Sequence, residues 1–526
     1  MILGSPSARA TLILAALFCT AVWPRTSFAQ FDTLSRPDSA IARVAETIEG
    51  DPLSLEDALA RGLENATRLK EAEAFEIAAK GTVRREKGIF DPVLFAAGAR
   101  NGVDQRATSP FESADVLETE ATNFSAGARM KMSFGTEIEA SLDGAKLETN
   151  STFATVNPEY DALGNVRLRQ PLLKGLGPGT RLDLSSAERL SESAAAATRD
   201  ARHGVISDVA STYWDLFAAV RDHSVQLLIV ERARAFVEET RTRVSTGLIG
   251  PGQTANAQVF LAQQELAAID SEENLDRISD RLASLIGERP SGGVRFRPSD
   301  APPLQYSIGE EDEAVEEAMR ANESLRSTER AVESLHEEYK GSRWNALPQL
   351  DVLGAVGGTG LSGTGRDVSF GDTVFPSNIH GDFNDSFDQV VNRDFPTWSV
   401  GLEMTFPIGL REDRGERDRL HGLMMRGEQQ LEAQRRELEE DVRARHREVT
   451  NGTRRVEVAR AGVDAAAEQV RIGIIEYRSG MTTAFELTRL AEDYARAEQQ
   501  LSQALVRTAK SAAELRQLLS QEGTIP

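Results

Sequence analysis

The chain has one cysteine in 526 residues, and it lies at position 19. Disulfides are therefore excluded from everything beyond the first thirty residues. After that opening no apolar run approaches the ~20 residues that a membrane-crossing helix needs. Basic residues are in deficit: 60 Lys and Arg against 82 Asp and Glu leave a net charge of −22. So acidic a chain is a poor partner for nucleic acid or for anionic lipid headgroups. The motifs of common chemistry are missing too, with no P-loop, no HExxH and no cysteine pair. Only six histidines occur, and His223 and His446 stand in long helical runs without ligand-spaced partners. Eight methionines, several needed for strands, argue against a soft-metal relay. "GTGLSG" (358–363) follows a strand-like run, but "TGRDVSFGDTVFPSN" cannot open the helix of a dinucleotide site, so it reads as a loop. No enzyme, cofactor or metal site is expected.

What is present begins with an apolar run, "TLILAALFCTAVW" (11–23), followed by the small residues of "TSFA" (26–29). This reads as a secretory signal peptide over 1–29, cut after Ala29 and too short for a membrane anchor. Phe18 is bulky where a lipoprotein signal wants a small residue. Removing Arg9 and Arg25, with no acids, takes the charge from −22 to −24. The exported chain is then periplasmic, secreted, or a transmembrane β-barrel.

The rest is a tandem duplication. Val442, Val449, Val456, Val463, Val470 and Tyr477 recur every seven residues, and subtracting 233 gives Val209, Leu216, His223, Val230, Val237 and Val244. An offset of 256 carries Asp57, Leu63, Leu69, Pro92, Leu94 and Gly98 onto Glu313, Met319, Leu325, Pro348, Leu350 and Gly354. The division is an N-terminal linker (30–53), a first helix–strand–helix repeat (54–287), a Pro/Gly-rich linker (288–308), a second repeat (309–520) and a tail (521–526). Each repeat holds a proline-poor helical run (~180–246 and ~411–479), a glycine turn and a returning helix of about forty residues. At 1.5 Å per residue the long helices would reach on the order of 100 Å. Positions three beyond the heptad valines are small (Gly452, Ala459, Ala466, Gly473, Ala219, Ala233), so backbones can approach closely on more than one side. An ordinary coiled-coil dimer would account for the heptad, but not for the duplication or the strands.

Two segments alternate with period two. "WSVGLEMTF" (398–406) puts Trp398, Val400, Leu402, Met404 and Phe406 on one face; "FSAGARMKMSF" (124–134) does likewise with Phe124 through Phe134. Strands of nine to eleven residues with one apolar and one charged face, and aromatics at their ends, have the form of outer-membrane strands. The second repeat supplies two (~349–357 and ~398–406). The first supplies two or four, since "SFGTEIEASLDGAKL" (133–147) looks like a further hairpin partner. Loops such as 357–394 read as long and polar. Four to six strands cannot close alone, so several copies must share one barrel.

"SLEDALARGLENATRLKEAE" (54–73), "ASTYWDLFAA" (210–219), "FPIGLREDRGER" (406–417), "TGLIGPGQTANAQ" (246–258) and "EYRSGMTTAFELTRL" (476–490) resemble, in order and spacing, the TolC family of trimeric outer-membrane efflux channels. The resemblance implies an α+β membrane protein: long antiparallel coiled-coil helices forming an α-barrel, plus a transmembrane β-barrel shared by a trimer, from two tandem structural repeats. It implies an exit duct in outer membrane lipid, its helical domain in the periplasm, serving a periplasmic adaptor and an inner-membrane pump of an efflux or type I secretion system. The competing expectation is a structural or adhesive envelope protein that conducts nothing. The glycine turns become the periplasmic tips. Tyr477, Gly480 and Glu486 match family gate positions, while Arg489 stands at the second acidic position and Thr482 where the family has an arginine. Glu486 and Arg489 are spaced i, i+3, as a pair would be. Gln253 and Asn256 are the polar residues of the first-half tip. Gly247, Leu248, Gly250, Gly480, Met481 and Thr482 would form the turns and carry the adaptor contact.

Overall fold

The computed structural model describes residues 37–106, 115–247, 249–291, 294–370, 372–479 and 481–521. The expected signal peptide and the tip residues Leu248 and Gly480 lie outside these.

In chain order the first half comprises α1 (Pro37–Thr47), β1 (Asp51–Leu53), α2 (Leu55–Asn65), α3 (Thr67–Lys87), β2 (Val93–Arg106), β3 (Val116–Lys131), β4 (Glu137–Thr149), β5 (Val156–Pro171), α4 (Leu182–Ser245) and α5 (Gly252–Ile286). The second comprises β6 (Phe296–Pro298), α6 (Glu311–Ala321), α7 (Glu323–Asn345), β7 (Gln349–Gly365), β8 (Val368–Phe370), β9 (Thr373–Phe375), α8 (Phe383–Asn392), β10 (Phe395–Thr405), α9 (Arg411–Arg478) and α10 (Ala484–Leu518). Helix for helix the halves correspond: α2 with α6, α3 with α7, α4 with α9 and α5 with α10.

Two helices organise the helical body. At 64 and 68 residues, α4 and α9 each run its length, on the order of 100 Å. Near the strands their partners are α3 and α7, packed in the order α3–α4–α7–α9; towards the far end the order is α5–α4–α10–α9. Four helices thus stand side by side at either level. The heptad explains the packing: Val209, Leu216, Val230 and Val237 on α4, and Val442, Val449, Val456, Val463 and Val470 on α9, are all buried. Each such side chain is worth about 1.5–3 kcal/mol relative to exposure. The small residues between them set the spacing. A methyl group on Gly452 would collide with Thr508, and one on Gly473 would lie 2.5 Å from Leu490 Cδ1. His223, out of character in the heptad, is buried, and its Nδ1 lies 2.8 Å from Ser271 Oγ.

The 288–308 segment is more than a linker. Its β6 pairs in parallel with β1, Pro52 opposite Arg297. Buried Tyr213 on α4 donates its hydroxyl to the Leu53 carbonyl at 2.9 Å and accepts from the Asp300 N–H at 3.1 Å. Both non-repeated stretches are thereby pinned at mid-height.

All the long strands join one antiparallel sheet in the order β10–β7–β5–β4–β3–β2. The first half therefore gives four strands and the second two. One register row reads Leu94, Ala128, Ala140, Val166, Val356, Trp398. All six point to one apolar face. The opposite face carries Arg129, Lys131, Glu137, Glu139, Arg167 and Arg169, and these line a concave hollow.

Three expectations are corrected. Phe124 lies mid-strand in β3, and packs edge-on to Phe383 of α8 with centroids 5.0 Å apart, so it is no end-of-strand girdle residue. "GTGLSG" belongs to β7, not to a loop. The supposed 357–394 loop begins only after Gly365 and contains the β8–β9 hairpin and α8. That helix is opened by a reciprocal cap between Asp382 and Asp385. It lies on the apolar face, over Gly144, Gly164, Gly358 and Gly360, where a Cβ would strike Phe383, Val390 or Ser386.

Candidate functional site

The far end of the helical body consists of two hairpin tips. In the first, α4 ends at Ser245, and the Thr246 and Gly247 N–H groups turn back to the Thr242 and Val244 carbonyls at 3.2 and 3.0 Å. Gly247 has φ +72°, which a residue without Cβ adopts freely. Gln253 and Asn256, in the first turns of α5, are exposed, as is Gly250. In the second tip the Met481 N–H reaches the Glu476 carbonyl at 2.9 Å, closing the turn that ends α9. Met481 is 74% exposed and Phe485 71%, an apolar pair at the extremity of the molecule. Thr482 is half-buried. Tyr477 belongs to the last turn of α9; its side chain lies outside the described positions.

Glu486 and Arg489 do not form an ion pair among the described contacts. Glu486 instead occupies the first turn of α10, where its N–H donates to Thr483 Oγ1 at 3.3 Å. Thr483-Ala484-Phe485-Glu486 has the spacing of a capping box, and a carboxylate there also complements the helix dipole. Glu486 is thus a helix-starting residue whatever else it does. Arg489 is exposed one turn further on.

Sequence reasoning missed a buried polar network about 36 Å above the tips, by helix rise from Arg221 to Ser245. Glu498 on α10 is buried; it accepts from Arg221 Nη2 on α4 at 2.8 Å and from the Tyr494 hydroxyl at 2.6 Å. Because α4 and α10 belong to different halves, this contact ties the halves together. Lys510 with Asp215 at 2.8 Å repeats the tie nearer the strands. The Tyr494–Glu498 spacing of i, i+4 was the available signal, but only the packing shows that it faces α4. Next to Arg221, burial pushes the Asp222 carboxyl up to about 6, opposed by the Arg221 charge, and its Oδ1 has no hydrogen-bond partner among the described residues.

No helix among the described residues is long and apolar enough to cross a membrane. No cluster of metal-ligating side chains occurs among them either. What remains is an apolar-outside, charged-inside sheet at one end of a bundle of very long helices. A strand assembly of that kind can sit in lipid only as part of a closed barrel. Fold and site together define an outer-membrane channel with a periplasmic helical domain.

The sequence matches the outer membrane efflux protein (OEP) family over residues 123–288 and 314–521, and the chain belongs to that family. Its members are channels rather than enzymes, form trimers, and work with adaptor and pump partners. Among solved structures, the CmeC outer membrane channel of Campylobacter jejuni aligns with TM-score 0.62 at 14% identity, covering 89% of this chain and 85% of that one. VceC of Vibrio cholerae gives 0.61 at 13%, covering 89% and 96%. The open state of the Neisseria gonorrhoeae MtrE channel gives 0.59 at 17%, covering 89% and 88%. No individually curated protein matches the sequence.

Proposed function

We propose that three copies of this protein form the exit duct of a tripartite efflux or type I secretion system, passively conducting cargo from periplasm to exterior. The observation that carries the reading is the placement of both hairpin tips at the end of the helical body opposite the strands. An inner-membrane pump and its adaptor would meet the duct there, and the turn residues Gly247, Leu248, Gly250, Gly480, Met481 and Thr482 are the proposed adaptor contact. Small residues permit close helix docking, and exposed Met481 offers apolar surface. Tyr477, Glu486, Arg489, Gln253 and Asn256 are the proposed gate and selectivity residues. Three copies of Glu486 would focus cations at the entrance.

Planar-bilayer recording tests the duct. Discrete conductance steps are expected; a well-folded trimer that stays silent would sink the reading and leave a structural envelope protein. Within a conducting trimer, Glu486→Gln should lower cation preference, and Tyr477→Ala should raise resting conductance about two-fold or more. If neither moves, the gate lies elsewhere and Glu486 is a first-turn helix residue alone.

A further inference from the structure

The sheet has six strands where the sequence left open four or six, and that number sets the width of the pore through the membrane. Its two edges are exposed, β10 along its whole length and β2 at every position but the half-buried Phe95. Unpaired strand edges are not viable in lipid, so each edge must find another strand. Six is an even number, so the outer strands run in opposite directions, and β10 of one copy meets β2 of the next antiparallel. The ring then closes without a parallel mismatch.

The β3–β4 pair is also firmly part of this sheet. β3 pairs with β4 from Thr119–Thr149 to Lys131–Glu137, and β4 pairs with β5 from Glu137–Arg169 to Leu147–Glu159. From the other half, α8 straps them from outside: Phe383 packs on Phe124 of β3, and Val390 lies over Gly164 of β5.

We propose that the membrane barrel has eighteen strands, six from each of three copies, sealed by β10 of one copy against β2 of the next. This rests on the trimeric duct proposed above. The register follows from levelling the apolar bands in the bilayer. On the outer face β2 is apolar at Leu94, Ala96 and Gly98 and turns charged at Arg100, while β10 is apolar from Trp398 to Met404. Matching the band centres sets Ala96 beside Val400 and Leu402.

The consequence is a wide pore. At a spacing of ~4.8 Å and a tilt of ~40°, eighteen strands give a backbone diameter of roughly 36 Å and twelve roughly 24 Å. Four helices per copy make a ring of twelve, and at ~9–10 Å between axes this ring is also roughly 36 Å across. The wall passes from helix to strand with no step. Inside, charge alternates by strand: Arg129 and Lys131 on β3, Glu137 and Glu139 on β4, Arg167 and Arg169 on β5. Such a lumen admits cargo of either sign.

The test uses the trimer in detergent, whose one native cysteine, Cys19, lies in the expected signal peptide and is replaced by Ser. Ala96→Cys is paired with Val400→Cys and, separately, with Leu402→Cys; Ala140→Cys with Val400→Cys probes a seam that leaves β2 and β3 out of the barrel. Mild oxidation should convert most of at least one of the first two variants into covalent trimers on denaturing gels, with under a tenth for the third. A third variant that cross-links, or a trimer by native mass in which none of the three does, overturns the eighteen-stranded barrel and leaves the trimeric duct standing. A monomer by native mass overturns both.

Discussion

At the scale of single residues, the informative positions are polar groups held where water is scarce. Asp222 on α4 is one. Its carboxyl, ordinarily near 3.8, is raised to about 6 by burial, so the folded protein binds a proton that the unfolded chain has already released. The contribution of this one group to stability is fully present below pH 3.8, falls as pH rises towards 6, and is lost above it, by on the order of 3 kcal/mol per chain. Asp222→Asn should remove that penalty, raising the unfolding midpoint at pH 7.5 and hardly at pH 4. Denaturant titrations at both pH values check this, and an equal gain at both would mean that the carboxyl is well solvated. Glu498, by contrast, is satisfied by its hydrogen bonds from Arg221 and Tyr494. Removing one member of a buried charged pair commonly costs about 3–5 kcal/mol. Glu498→Ala should therefore destabilise the joint between the halves far more than Glu265→Ala, whose partner Arg234 is exposed. Thermal unfolding of the two variants compares them directly.

At the scale of elements, spacing between helices is set by the residues that lack side chains. Gly452→Leu should drive α9 from α10 by forcing a clash with Thr508, costing about 1–3 kcal/mol. Gly462→Ala, with open space around it in the chain, should be neutral or stabilising by up to about 1 kcal/mol. A loss at Gly462 as well would place that side of α9 in the seam between copies. The same logic explains which elements the sequence revealed. The long helices were legible because a seven-residue repeat of Val with small residues between has few other uses, and its members from Val209 to Val237 and from Val442 to Val470 are buried. The β10 and β3 strands were legible because an apolar outer face and a wet inner one must alternate. By contrast α8 was hidden: it is only ten residues long, and its Asn and Asp residues read as loop. Its signals were Phe383, Phe387, Val390 and Val391 at helical spacing behind an Asp cap, but the glycines that receive it sit on three other strands. The Arg221–Glu498 contact was illegible for a different reason, since 277 residues separate the partners and polarity alone suggested solvated faces. The candidate gate was legible only as a matching of positions. Of its residues the structure adds most for Glu486, which it places in the first turn of α10, its N–H capped by Thr483.

At the scale of the whole molecule, the proposed adaptor docking makes the length of the helical body a testable quantity. α4 with α5, and α9 with α10, must place two tips at one level, although each pair belongs to a different repeat. Removing one heptad shortens a helix by about 10.5 Å while preserving the register of its buried face. Deletion of one heptad from α9 and α10 alone, between the Glu498 contact and the tip, should leave the second tip retracted while the first stays extended. The proposed adaptor surface is then split, and a leaky channel with raised resting conductance is expected. Deletion of matched heptads from all four helices should restore a level end and low resting conductance. If the proposed adaptor docking is rigid, that shortened trimer still conducts in a planar bilayer but fails to support export in cells, because its tips no longer reach the adaptor. Export by the four-helix deletion at the wild-type rate would show that body length is not matched to the partner, and that the heptads serve packing only. Conductance that stays low in the two-helix deletion would show instead that closure belongs to the first tip, around Gln253 and Asn256, rather than to Tyr477 and Glu486.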